Sequence, residues 1–181
     1  QAETIVPVLI VLDASGDLGT GQGPPDLERS KLGAAVTMAA TLAVFLSKRG
    51  DPVGLSIVGG DGTFDAQIPP GPRTLPAVIR SLASVRSAGM AQLKSAFERV
   101  GESMPRRSVV IVVSDLMEEP AVWGPSLGVL ASRGVDCRFI HIYDPDEWSL
   151  NYDSPVVLFS PEDGASLAMD PSAARSAMAD V

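Results

Sequence analysis

Asp13, Ser15 and Asp17 stand at alternate positions directly after an apolar run, residues 5–12, that is rich in Val and Ile. Asp115 closes a second run of the same kind, Ser108-Val109-Val110-Ile111-Val112-Val113-Ser114. Carboxylates and a hydroxyl at this spacing are hard oxygen ligands, suited to Mg²⁺, Mn²⁺ or Ca²⁺ rather than to zinc. The same residues have a plainer use, because an aspartate at a strand end also caps the helix that follows. A third use is catalytic: a Mg²⁺-dependent phosphohydrolase or phosphotransferase with Asp13 as nucleophile. That chemistry wants a second carboxylate two residues on, where this chain has Ser15. A receiver-like phosphoacceptor wants an acidic neighbour beside Asp13 and a lysine on the strand over residues 135–143, and neither is present.

Other chemistry-bearing residues point nowhere so definite. Gly19, Gly21 and Gly23 follow a strand and precede a helix, but their spacing is not the dinucleotide G-x-G-x-x-G, and no phosphate-binding G-x-x-x-x-G-K-[ST] occurs. His141 is the one histidine and alternates with Phe139 and Tyr143 along a strand; without a Ser or Cys partner it reads as a packed, hydrogen-bonded residue. Cys137, the one cysteine, lies in an apolar segment and reads as a small core residue. It has no partner for an internal disulfide, so nothing points to an oxidising compartment. Arg106-Arg107 reads as solvated. No G-x-S-x-G, no H-E-x-x-H and no Cys/His pair is present.

The two aspartates need elements that bring them to one edge. An apolar run of this length is a strand buried on both faces, as in a parallel sheet, whose ligands bind at the carboxyl ends of the strands. A Gly- and Pro-rich loop over residues 18–25 leads to an Ala-rich helix over about residues 27–48, apolar nearly all round, which should cover the centre of the sheet. Asp26 and Ser30 are its candidate N-caps, and Gly50 is its stop. Strands follow at 53–58 and, after a Gly-Gly-Asp-Gly turn, antiparallel at 63–68, closed by Pro69-Pro70-Gly71-Pro72. Helices are expected over 75–85, 91–104, 121–132 and 171–179. The remaining strands fall at 108–115, 135–143 and 156–159. The alternation describes an α/β protein: a mostly parallel sheet with one antiparallel edge strand and helices on both faces.

The 181 residues make most simply one domain, residues 1–181, with 45% hydrophobic content and a mean hydropathy of +0.20 that argue a substantial core. A chain that opens on Gln1 and enters a strand almost at once reads as a piece of a longer protein. Its net charge of −8 argues against nucleic acid and against an anionic membrane surface. The longest uncharged apolar run, residues 32–47, is shorter than the ~20 residues of a membrane span and reads as a buried helix of a soluble domain.

The order of these elements resembles a von Willebrand factor type A domain, a three-layer Rossmann-like fold. More narrowly it resembles the bacterial proteins called domain of unknown function 58. The narrower likeness rests on Gly50-Asp51-Pro52-Val53-Gly54-Leu55, Val113-Ser114-Asp115-Leu116 and Asp144-Pro145-Asp146-Glu147, and on an acidic-Gly turn before residues 167–170 and an Arg-containing helix. The resemblance implies a metal-ion-dependent adhesion site, Asp-x-Ser-x-Ser plus a later Thr and Asp. Asp13, Ser15 and Asp115 match it; Asp17 replaces the second Ser, and Ala91 falls where the Thr would be. The implied metal ligands are therefore Asp13, Ser15, Asp17 and Asp115, holding Mg²⁺, Mn²⁺ or Ca²⁺, or the degenerate site has lost its ion. Asp144 is a further residue expected at the same edge. The resemblance also implies a non-enzymatic protein-interaction domain that binds its partner through the loops at the carboxyl edge of the sheet, around Asp13 to Asp17, Gly89 to Ala91 and Asp115 to Glu118. That partner would be a MoxR-type AAA+ ATPase, in assembly or maturation of protein complexes. The domain would be soluble, cytoplasmic or at a membrane face, without membrane contact of its own, and the full protein would carry an N-terminal membrane hairpin.

Overall fold

A computed structural model describes residues 5–19, 30–59, 67–145, 153–160 and 164–179. Strand β1, Val8–Ala14, is buried along its whole length, as its unbroken apolar sequence requires. A 3-10 turn, Gly16–Leu18, follows it. Helix α1, Lys31–Lys48, starts after Ser30, whose hydroxyl accepts a hydrogen bond from Gly33 N at 3.0 Å. This is one of the two caps expected; the other, Asp26, lies outside the described residues, as do Gly21, Gly23 and the Gly60–Gly62 turn. Next come β2, Val53–Gly59, and β3, Gln67–Gly71, then α2, Leu75–Ser84, and α3, Leu93–Ser103. Strand β4, Val109–Ser114, leads to α4, Pro120–Ser132, and β5, Asp136–His141. Strands β6, Val156–Phe159, and β7, Ser166–Met169, precede α5, Pro171–Ala179.

The central sheet has the order β3-β2-β1-β4-β5, with β3 antiparallel and the rest parallel. Each face carries its own core. On one, Leu32, Ala35, Ala39 and Ala43 of α1 and Val78 and Leu82 of α2 meet Ile10, Leu12, Leu55 and Ile57 of the sheet. On the other, Leu93, Phe97 and Val100 of α3 and Leu130 of α4 meet Leu9, Val11, Val110 and Val112. Even and odd positions of β1 thus serve opposite layers, which is why its sequence shows no polar alternation. Phe97 anchors the second layer, edge-on to Trp123 at 6.1 Å and to Phe139 at 6.4 Å between ring centroids.

The structure corrects four expectations. β3 does not stop at Pro69 but runs through Pro69 and Pro70 to Gly71. It is an edge strand, and an imide there gives up no hydrogen bond the sheet needs. The register slips between Val53 and Leu55, and a side chain at Gly54 would meet Ile68 O at 2.4 Å, so the glycine permits the slip. β6 does not join the central sheet; it pairs with β7, a strand the sequence reading did not assign. α1 is not buried all round: Met38 and Phe45 are exposed, with the Arg49 guanidinium 5.9 Å from the Phe45 ring centroid. Finally, His141 is not packed but exposed on β5, with its ring 5.8 Å from that of Tyr143. For β6 and α1 the sequence recorded apolar content, and the neighbour that would cover it was not where the pattern implied.

Candidate functional site

Chain order reverses across β1. The path leaves β1 toward β2 on one side and returns to β4 on the other. The carboxyl ends of β1 and β4 therefore flank a topological switch point, the usual place for binding in an open α/β sheet. Parallel pairing sets Leu12 opposite Val113, which brings Asp13 beside Ser114. The Ser114 hydroxyl donates to Asp13 Oδ2 at 2.6 Å, and Ser15 N donates to Asp13 Oδ1 at 2.9 Å. Asp13 and Ser114 are wholly buried, Ser15 and Asp115 nearly so. Asp115 Oδ2 accepts from Lys31 Nζ at 2.9 Å, a contact between residues 84 positions apart. Ser114 Oγ also accepts from Leu116 N at 2.9 Å, and Leu116 takes a left-handed φ of 57°. A non-glycine residue rarely sits there, so the turn after Asp115 is held by its surroundings.

Three loops are fastened together around these side chains. Gly16 N donates to Gly89 O at 2.9 Å and Ala88 N to Ala14 O at 3.0 Å, which ties the α2–α3 loop to the end of β1. A side chain at Gly19 would overlap Ser87. Glu118 Oε2 accepts from Leu93 N at 2.8 Å and so caps α3 from the loop after β4. The Trp123 indole donates to Glu118 O at 2.9 Å and holds that loop in turn. Met90 and Met117 project from the two fastened loops, 61% and 72% exposed.

The structure thus brings Asp13, Ser15 and Asp115 to one edge. Asp17 stands half-buried in the 3-10 turn, and Asp144 half-buried beyond the end of β5. Among the described residues no three His, Cys, Asp or Glu side chains gather as a metal ion would need. A hexacoordinate Mg²⁺ fits these donors poorly, since both Asp13 oxygens are bonded to protein donors and Asp115 holds an ammonium.

Burial pushes the Asp13 carboxyl above the usual carboxylate range, against the lowering effect of its bonds to Ser114 and Ser15; the nearby Asp115 adds to the rise. A raised folded-state pKa stabilises the fold below the unfolded pKa, and that contribution is lost as pH climbs through the folded value. Asp13→Asn can still accept from Ser15 N and can donate to Ser114, and it has no charge to bury. The wild type should therefore lose stability relative to Asp13→Asn as pH rises from about 4 toward neutrality. Urea unfolding of both proteins across that range checks this; a pH-independent difference would contradict it.

Sequence reasoning missed Lys31 and Gly59, and it placed Glu118 at the rim without its role as the cap of α3. Gly59 has φ 73°, and a Cβ there would lie 2.6 Å from Ser15 N. One signal for Lys31 was present in the sequence: a lysine opens α1, where the positive end of the helix dipole disfavours a cation. Cys137 is half-buried against the second core, and burial raises its thiol pKa.

A family model described as protein of unknown function DUF58 matches residues 1–180. The chain belongs to the DUF58 family. Solved structures share the fold of this DUF58 chain at low identity. One is an aerotolerance-related membrane protein from Bacteroides fragilis NCTC 9343 carrying multiple mutations to serines, 16% identical, with a TM-score of 0.60 over 93% of this chain and 83% of that one. Another is the conserved hypothetical protein BatB from Bacteroides thetaiotaomicron, 18% identical, with a TM-score of 0.62 over 91% and 75%. A von Willebrand factor type A structure from Catenulispora acidiphila aligns at 16% identity and a TM-score of 0.50, over 80% of this chain and 35% of that one. No curated protein matches the sequence. The fold of this DUF58 domain is thus of von Willebrand factor type A kind, as its strand order and layers already indicated.

Proposed function

We propose that this DUF58 domain is a non-enzymatic interaction module that binds a protein partner at the carboxyl edge of its sheet. The observation that carries this reading is the rim itself. Three loops are hydrogen-bonded into one frame, with Met90 and Met117 standing exposed on it. Flexible, polarisable methionine side chains on a rigid support suit protein contact. Asp13, the residue a phosphoryl-transfer mechanism would use, is wholly buried with both oxygens engaged, which favours binding over catalysis.

The partner proposed is a MoxR-type AAA+ ATPase, as the family resemblance implies, with the domain soluble and working in the cytoplasm or at a membrane face. The Bacteroides fragilis protein of the same fold is aerotolerance-related, which is compatible with such complex maintenance. The test is biolayer interferometry of the domain against the purified ATPase. Met90→Glu/Met117→Glu is expected to weaken binding by about tenfold or more while circular dichroism stays unchanged. Full affinity in that variant would move the binding surface away from this edge.

A further inference from the structure

We propose that the Lys31 ammonium occupies the position a divalent cation holds in a metal-dependent adhesion site, so that this strand edge is built without a metal. Asp115 matches the last ligand of such a site, and its Oδ2 lies 2.9 Å from Lys31 Nζ. Both side chains are nearly closed to solvent, 9% and 3% exposed. An ion coordinating the same oxygen at the ~2.1 Å of a Mg²⁺–oxygen bond would be pressed against the ammonium. Metal binding therefore requires displacing Lys31, and the lysine is fixed at the first residue of α1.

The rest of the donor set agrees. Asp13 points its two oxygens at Ser15 N and the Ser114 hydroxyl. Ala91 offers no hydroxyl where an adhesion site uses one. The lysine also breaks a local rule, a cation at the positive end of a helix, and such breaks are compensated by tertiary contacts. Here the compensation is a carboxylate from the far side of the switch point. An ammonium neutralises one charge and keeps no open coordination position. An edge built this way cannot recruit a partner carboxylate onto a metal, so partner binding is insensitive to chelation. The inference does not depend on which partner binds.

The experiment is calorimetric titration and thermal melting of the EDTA-dialysed domain with MgCl₂, MnCl₂ and CaCl₂. The wild type is expected to give no heat and no change in Tm. Lys31→Ala is expected to gain a Mn²⁺-dependent rise in Tm that Lys31→Ala/Asp115→Asn lacks. Saturable metal binding by the wild type, abolished by Asp115→Asn, would overturn the proposal. So would a folded Lys31→Ala protein that stays indifferent to Mn²⁺. The wild-type titration decides the matter even where Lys31→Ala fails to fold.

Discussion

Lys31→Met is expected to lower the free energy of unfolding by about 3 kcal/mol, because it leaves a buried carboxylate without its counter-charge. The pair is out of solvent on both sides and its contact is short, which separates it from surface ion pairs worth ~0.5 kcal/mol. Arg138 with Asp136 is such a surface pair, equally short at 2.8 Å but more than half exposed on both partners. Part of the Lys31 loss is offset, since methionine removes a cation from the positive end of α1. Asp115→Asn alone should cost less than Lys31→Met, because the lysine stem can carry its ammonium to water. The double variant should recover most of the loss, with a coupling energy of about 2 kcal/mol. Urea unfolding with unchanged m-values measures all four corners of the cycle. Additive single effects would show that the contact holds nothing together.

Gly59→Ala is expected to cost about 3 kcal/mol, from two sources that act at one atom. The residue holds φ 73°, a conformation that penalises any L side chain by ~1–2 kcal/mol. The new Cβ would also lie 2.6 Å from Ser15 N and 2.9 Å from Ser15 Cα, contacts that force the ends of β1 and β2 apart. Ser15 N is the donor to Asp13 Oδ1, so the strain falls on the buried carboxylate. The variant should therefore lose stability and also loosen amide protection at Ser15 in hydrogen exchange. Gly124→Ala is the control. A Cβ there meets nothing within 4 Å, and alanine suits a helix better than glycine, so that change should be neutral or slightly stabilising. Equal behaviour of the two variants would contradict the close approach of β1 and β2.

The two buried strands and their terminal aspartates were legible in the chain because each rests on local composition. An unbroken Val/Ile/Leu run has one stable environment, between two layers, and a polar residue at its end must lie at the sheet edge. The same locality made Ser30 legible as a cap and Gly50, with φ 88°, as the stop of α1. The limits came from the same source. A proline pair looked like a strand end because sequence does not say whether a strand is interior or at the edge. An apolar helix looked wholly buried because composition does not say how many neighbours it has. β7 passed unassigned because its four residues carry no pattern of their own and are ordered by pairing with β6.

The candidate site divides along the same line. Sequence by itself determined its two buried acids, Asp13 and Asp115, with the Ser15 hydroxyl beside them, the α/β class, and the loops that would surround them. Only the tertiary structure decided what those acids do. Lys31 meets Asp115 across 84 positions, Ser114 meets Asp13 across 101, and Glu118 caps a helix that began 25 residues earlier. Pairings of that range follow from strand order and helix placement, which no window along the chain encodes. A carboxylate read in isolation is equally a metal ligand, a helix cap or half of an ion pair, and it is the donor opposite it, fixed by the fold, that selects among them.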